Sequence, residues 1–216
     1  MIRPHACIFD LDGTLVDSLR DIATALNSAL DDLNLPRVDL RSVRDWVGDG
    51  LPALCRRAQP RADETTVKRL VECAARHYRN HCVDHTRPYP NILAMLKLLR
   101  SKGLPLAVIS NKPHDLVELT LRGLGMMQYF EEARGFVDER EKKPCPIHAI
   151  QVASNFDCAP RLVCLIGDSP VDIQTARNAG MIAVAVAWGF RKIGELEAER
   201  PDFLVHSPDE IISLFD

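Results

Sequence analysis

The chain has no apolar run long enough to cross a membrane. The longest, Met181 to Trp188, is eight residues, against about 20 for a spanning helix. It also has no apolar targeting segment at its start. Met1-Ile2-Arg3-Pro4-His5 is polar and leads within a few residues to Asp10 and Asp12, so a signal-peptide core is not expected there. There is no excess of positive charge: 27 Lys and Arg stand against 30 Asp and Glu, a formal net charge of −3. A nucleic-acid partner, which calls for a basic face, is therefore not expected. None of the seven cysteines forms a C-x-x-C pair, and their number is odd. That pattern suggests reduced thiols, mostly buried, rather than a disulfide framework or a redox motif. No internal repeat or low-complexity segment occurs. A cytoplasmic protein with no membrane partner is the expectation.

What is present suits one globular body. The 216 residues are 46% hydrophobic and 26% charged. That allows a single large domain, or one domain carrying an insert, with a core that needs no disulfide or metal staple. The run His5-Ala-Cys-Ile-Phe-Asp10 predicts a buried parallel strand with a polar tip. Ser18 to Leu33 has helical periodicity, with Ser18 as N-cap and Asp21 in the first turn. From about Val38 to Tyr78 the pattern stays helical, broken at Gly48-Asp49-Gly50. His81 to Tyr89 is expected to be an irregular return.

Alternation follows. Helices are predicted over Ile92–Ser101, His114–Leu124, Ile147–Ser154, Pro170–Asn178 and Pro208–Phe215. Strands are predicted over Leu104–Ser110, Leu162–Asp168, Ile182–Ala187 and Phe203–His206. Strands alternating with helices imply an α/β fold, a Rossmann-like parallel sheet covered on both faces. The helical block after the first strand implies a small inserted α-helical domain. Residues 1–16 and 87–216 would form the catalytic core, and 17–86 the cap.

Ligands of open parallel sheets bind outside the carboxyl ends of the strands. Three such ends carry polar groups here: Asp10-Leu11-Asp12-Gly13-Thr14, Ser110-Asn111-Lys112, and Gly167-Asp168-Ser169-Pro170-Val171-Asp172. Lys143-Pro144 lies in the chain between the second and third. Carboxylates converging from different strands repel, and one would protonate unless a cation sat among them. Oxygen ligands with open water positions suit Mg²⁺. With Lys143 nearby, such a site suits a dianionic phosphate. Phosphoryl transfer asks mainly for positioning and charge stabilisation, and an Asp carboxylate can serve as the covalent nucleophile. Gly13 would let backbone N–H groups approach a phosphoryl oxygen.

Phe9-Asp10-Leu11-Asp12-Gly13-Thr14-Leu15-Val16-Asp17-Ser18 resembles the first signature of the haloacid dehalogenase-like superfamily. Ser110 after an apolar strand resembles the second, Lys143-Pro144-Cys145-Pro146 the third, and Gly167 to Asp172 the fourth. Order and spacing agree over the whole chain. One departure is Ile147, where the family often has an acidic residue. The resemblance implies that Asp10 attacks phosphorus and that Asp12 protonates the leaving oxygen and then activates water. It implies that Ser110, the Asn111 backbone, Gly13 and Lys143 hold the phosphoryl group. It also implies that Mg²⁺ is held by the Asp10 carboxylate, the Asp12 carbonyl and Asp168, with Asp172 behind them. A halide leaving group needs no proton, so an acid at position 12 argues for phosphate esters over dehalogenation.

Asp45 to Leu54 resembles the cap segment of phosphoglycolate phosphatases, and Trp188-Gly189-Phe190 fits the same branch. The substrate implied is 2-phosphoglycolate or another small phosphorylated acid, whose carboxylate Arg41, Arg44, Arg56 or Arg57 could meet. A β-phosphoglucomutase-like isomerase, a pyrophosphatase and, in another class, a non-catalytic phosphate-binding module stay open as alternatives. A Schiff-base phosphonatase is disfavoured, because Asp17 to Asp63 contains no lysine. Each site residue also has a plainer role. Strand-end aspartates cap helices or form turns, Ser110 could be a capping hydroxyl, Asp172 could complement a helix dipole, and Gly48 and Gly50 could only break a helix. Cys73, His77, His81 and His85 recur every four residues, a spacing that can bind zinc; a solvated helix face accounts for them better. Monomer and homodimer both remain open.

Overall fold

The computed structural model describes residues 4–215. Residues 1–3, part of the polar start, and residue 216 lie outside the described residues. Six parallel strands form the main sheet, in the order β5-β4-β1-β6-β7-β8. They are β1 (Ala6–Phe9), β4 (Leu106–Pro113), β5 (Glu132–Phe136), β6 (Val163–Gly167), β7 (Ile182–Val186) and β8 (Phe203–Val205). The period of two explains why the central strands are apolar throughout. Cys7, Phe9, Val108, Ile166 and Val184 enter one core cluster, and Ala6, Ile8, Ala107, Leu165 and Ala183 enter the other. Helices cover both faces: α5 (Ile92–Ser101), α6 (His114–Gly123), α7 (Ile147–Asn155), α8 (Pro170–Ala179), α9 (Ile193–Ala198) and α10 (Pro208–Ser213).

β1 is paired with β4 on one side and β6 on the other. The chain builds outward from β1 in one direction, then returns to build in the other. This is the reversal of strand order beside which open α/β sheets hold ligands.

Between β1 and α5 the chain forms α1 (Leu19–Asp32), α2 (Leu40–Trp46), α3 (Leu51–Ala58) and α4 (Glu64–His81). These helices share a third apolar cluster of their own, built around Leu26, Leu30, Val43, Leu54 and Leu70. Asp39 and Asp63 cap α2 and α4 by accepting from the N–H groups of Ser42 and Thr66.

Some local expectations change. The return over 81–89 is not wholly irregular: β2 (Val16–Asp17) and β3 (Arg87–Pro88) form a two-residue antiparallel ladder. β5 and α9 have no counterpart in the predicted elements. β5 is an edge strand of sequence Glu-Ala-Arg-Gly-Phe, too polar to show strand periodicity. β4 runs on through Asn111 and Lys112 to Pro113, beyond the predicted end at Ser110.

Asp21 lies in the first turn of α1, as expected, and is 2% exposed. Its carboxylate accepts from the backbone N–H groups of His85 and Thr86 and from the Thr86 hydroxyl, at 2.7 to 3.0 Å. One carboxylate thus fastens the start of the helical block to its return. The histidine series does not converge. His77 faces Asp32, His81 faces Asp84 and His85 faces Asp21. Cys73, His77 and Asp32 do lie together, but Arg76 donates to both the Asp32 carboxylate and the Cys73 sulfur.

Replacing Asp21 with Ala strands the part-buried N–H of His85 and the buried N–H and hydroxyl of Thr86. We expect a loss of about 2–4 kcal/mol in unfolding free energy, measured by urea denaturation. A change below about 0.5 kcal/mol would show that the return segment holds without it.

Candidate active site

The strand ends deliver their polar residues to one place. Asp10 follows β1, Ser110 and Asn111 lie within β4, and Asp168 follows β6. Asp172 sits in the first turn of α8, behind Ser169 and Pro170. The carboxylates of Asp10, Asp168 and Asp172 approach so closely that oxygens of all three lie within 4.8 Å of one another. All three residues are at least nine-tenths buried.

The Lys143 ammonium donates to Asp10 Oδ1 and to Asp172 Oδ1, each at 2.6 Å. The second Asp172 oxygen accepts from the Ser169 N–H and hydroxyl. Asp172 therefore fills both roles considered for it: it opens a helix and grips Lys143. Asp168 Oδ2 accepts from the Phe190 N–H at 2.7 Å, and its Oδ1 accepts from the Thr14 hydroxyl at 3.3 Å. Trp188 donates its indole N–H to the Thr14 carbonyl. The segment 188–190 thus braces the site from behind.

Glycines make this crowding possible. A Cβ on Gly13, whose φ is +89°, would fall 2.4 Å from an Asp168 oxygen. A Cβ on Gly167 would fall 2.2 Å from the Asp172 carboxyl carbon. Any side chain at either position would displace a carboxylate.

The electrostatics follow from burial. Burial pushes the Asp10 carboxyl up to about 8; the Lys143 ammonium draws it down, and the Asp172 and Asp168 carboxylates push it up again. Burial, then Asp172, pushes Asp168 up to about 7. Three carboxylates against one ammonium leave a local excess of two negative charges. A divalent cation would offset that excess and keep Asp10 ionised. The donor set is oxygen-only and acidic, which fits a hard cation such as Mg²⁺.

Asp12 lies apart from this cluster. Its carboxylate accepts from Ser18 Oγ at 2.6 Å and from Lys112 Nζ, which reaches both oxygens at 2.7 Å. Ser18 does stand at the N-cap of α1, but makes no side-chain cap bond there; its hydroxyl serves Asp12 instead. Lys112, at the polar end of its strand, is assigned no role by the sequence. It is 7% exposed, and its position two residues after Ser110 on an extended strand was the available signal. Asn111 does more than was expected of its backbone. Its side-chain amide accepts from the Lys143 N–H and donates to the carbonyls of Lys143 and Gly48.

Asp10, Asp12, Ser110, Asn111 and Lys112 line a single cavity, closed on the far side by Ile22, Leu51, Leu54 and Tyr78 of the helical block. The cap arginines are elsewhere. Arg44 donates to the carbonyls of Gly189 and Phe190. Arg56 and Arg57 are taken by Ala62, Glu64, Trp46 and Asp49. Arg41 is exposed. None of the four lines the cavity.

The sequence matches the haloacid dehalogenase-like hydrolase family over residues 7–186. The chain belongs to that family. Curated relatives extend the match to nearly full length. A phosphoglycolate phosphatase of Aquifex aeolicus is 34% identical over 209 residues, covering 97% of this chain and 95% of the relative. One of Neisseria meningitidis is 37% identical, covering 96% and 92%. Among solved structures, a predicted phosphoglycolate phosphatase of Haemophilus somnus superposes on this hydrolase with a TM-score of 0.93, at 31% identity and full coverage of both chains. A haloacid dehalogenase-like hydrolase of Streptococcus pneumoniae gives 0.90 at 27% identity, again over both whole chains. Among the described residues, no helix is long and apolar enough to cross a membrane.

The raised carboxyls set a pH dependence. Folded Asp10 and Asp168 hold their protons to about 8 and 7, whereas unfolded aspartates release theirs near ~4. Between those limits the metal-free native state binds more protons than the unfolded one, so these two groups lose stabilising power as pH rises. A cation that neutralises them should reverse this. The rise in melting temperature given by Mg²⁺ over EDTA should therefore be larger at pH 8 than at pH 5. Thermal unfolding at both values checks this; an equal or smaller shift at pH 8 would contradict the assignment.

Proposed function

We propose that this hydrolase is a Mg²⁺-dependent phosphatase of small phosphomonoesters, with 2-phosphoglycolate as its substrate, acting through an aspartyl-phosphate on Asp10. The observation that carries the proposal is the pairing of two carboxylates from one strand end in separate settings within one cavity. Asp10 sits among Lys143, Asp168 and Asp172, while Asp12 sits with Lys112 and Ser18. The names of the near-full-length relatives support the choice of substrate.

An Asp10 oxygen attacks phosphorus, and the bond to the alcohol oxygen of the substrate breaks. Asp12 gives its proton to that oxygen, and the alcohol leaves. Water then attacks the phosphorus of the aspartyl-phosphate while Asp12 takes a proton from it. Phosphate departs and the Asp10 carboxylate is restored. Ser110, the Asn111 N–H and the turn at Gly13 receive the phosphoryl oxygens, and Lys143 offsets the charge that Asp10 and the phosphoryl group share. Asp10, the Asp12 carbonyl and Asp168 would hold Mg²⁺, which supplies charge neutralisation at the phosphoryl group and the carboxylates. Residues 17–86 act as a cap that limits bulk water around the reacting phosphoryl group while admitting the water that hydrolyses the aspartyl-phosphate. The apolar cap wall offers few hydrogen bonds to a sugar, which sets the isomerase alternative behind hydrolysis of a small acid ester. A binding module would have no use for the nucleophile, acid and metal carboxylates together.

The test is phosphate release from 2-phosphoglycolate, other small phosphomonoesters and pyrophosphate, with Mg²⁺ and then with EDTA. Preference for 2-phosphoglycolate that disappears with EDTA is expected. In the same assay Asp10→Asn should lower kcat by at least about a thousandfold, the scale of removing a nucleophile. Metal-independent turnover would refute the proposed cofactor. A variant within tenfold of the parent would refute the nucleophile.

A further inference from the structure

Tyr78, on α4 of the helical block, presents a buried hydroxyl that donates its hydrogen to none of the described residues; the Lys112 ammonium is the group turned toward its oxygen. The residue is 5% exposed and lines the same cavity as Asp10, Asp12 and Ser110. A buried donor without an acceptor is uncommon in a native protein and calls for an explanation. Burial pushes this phenol up to about 12, although the Lys112 ammonium pulls it down. The hydroxyl thus stays protonated near neutrality and has a hydrogen to donate.

Lys112 lies beside it, its ammonium 4.7 Å from the centre of the Tyr78 ring. An ammonium has three N–H donors. The two Asp12 oxygens take two of them, and the third is turned toward the Tyr78 oxygen. Lys112 is the one basic residue among the described residues that line the cavity. Around the pair the wall is apolar, with Ile22, Leu51, Leu54 and Leu116. Arg44, Arg56 and Arg57 are spent on backbone carbonyls and on Glu64 and Asp49, and Arg41 does not line the cavity.

We propose that Tyr78 and Lys112 form the subsite for the non-reacting end of the substrate and select a carboxylate there. The proposal rests on the phosphatase function and goes further, by assigning specificity to one cap residue and one core residue. A carboxylate brings an acceptor and a negative charge; the subsite offers the Tyr78 hydroxyl as donor and the Lys112 ammonium as the opposing charge. Hydrogen bonds that involve a charged partner are stronger than neutral ones. The apolar wall suits a short carbon skeleton and leaves additional substrate hydroxyls unpaired, which discriminates against sugar phosphates. Because Tyr78 comes from the cap and Lys112 from β4, a substrate anion held by both would also bind the two parts together.

The test compares kcat/KM for 2-phosphoglycolate and for ethyl phosphate, a two-carbon ester without the carboxylate, in the parent and in Tyr78→Phe. The substitution removes only the hydroxyl. The ratio of the two constants should fall about tenfold, mainly through KM for 2-phosphoglycolate. Titration calorimetry of 2-phosphoglycolate with Mg²⁺ into Asp10→Asn, and into Asp10→Asn with Tyr78→Phe, gives a readout free of turnover; affinity should fall by a similar factor. A parallel loss on both substrates, or no loss of affinity, would mean that Tyr78 only packs, and would overturn the subsite while leaving the function intact. A parent enzyme that hydrolyses both esters equally well would overturn the subsite and the choice of substrate together.

Discussion

The close packing of Asp10, Asp168 and Asp172 around the Lys143 ammonium is the constraint on which the other features of the site depend. Burying one carboxylate costs several kcal/mol unless it is paired; here three converge within 4.8 Å. One ammonium cannot neutralise them, so the arrangement holds an unmet demand for positive charge. The surrounding chain keeps that demand in place. Ser169 fixes Asp172, Phe190 and Thr14 fix Asp168, and the Asn111 amide fixes the backbone of Lys143. Gly13 and Gly167 make room by lacking a Cβ. A site held this firmly cannot relax its carboxylates apart, and so binds a cation or protonates.

The same contacts tie the cap to the chemistry. Arg44 of α2 donates to the carbonyls of Gly189 and Phe190, and Arg191 donates back to the carbonyls of Asp45 and Val47. The Phe190 N–H holds Asp168. Asn111 reaches the Gly48 carbonyl with the amide that also supports Lys143. The break at Gly48-Asp49-Gly50 is therefore more than a helix stop, since it faces the residue that positions the lysine. Movement of the helical block would be felt at Asp168 and at Lys143 through one or two hydrogen bonds each.

The central strands were legible because they are buried on both faces, which turns β1, β4 and β6 into short apolar runs with polar tips. Once those tips were located, Asp10, Ser110 and Asp168 followed from where parallel sheets bind ligands. β5 was illegible for the converse reason: an edge strand carrying Glu132 and Arg134 has no apolar period to detect. The partnerships were harder to see than the residues. Ser18 looks like a helix cap until the fold sets Asp12 beside it. Asp21 reads only as a first-turn acid, which it is, until residues 85 and 86 return to it. The cap arginines look like anion receptors because sequence shows their charge but not the carbonyls that occupy them. Lys112 and Tyr78 are 34 residues apart, on a core strand and a cap helix, and only the fold makes them neighbours.

Asp10 and Asp12 show how one strand end can supply two chemistries. They are two residues apart, identical in side chain, and share a cavity wall. Asp10 faces inward, to a lysine already shared with Asp172 and to a cluster that needs a cation. Its place there favours a carboxylate held ionised by positive charge, as a nucleophile requires. Asp12 faces the cap, where it meets Ser18 and Lys112 and keeps clear of the carboxylate cluster. In the proposed reaction it would exchange a proton with the leaving group from there, apart from the carboxylates proposed to hold the cation. Separate environments for chemically equal groups are what divide nucleophile from acid. Here the division arises from local geometry, because Asp10 is met by the Lys143 ammonium within the carboxylate cluster and Asp12 by Ser18 and Lys112 outside it.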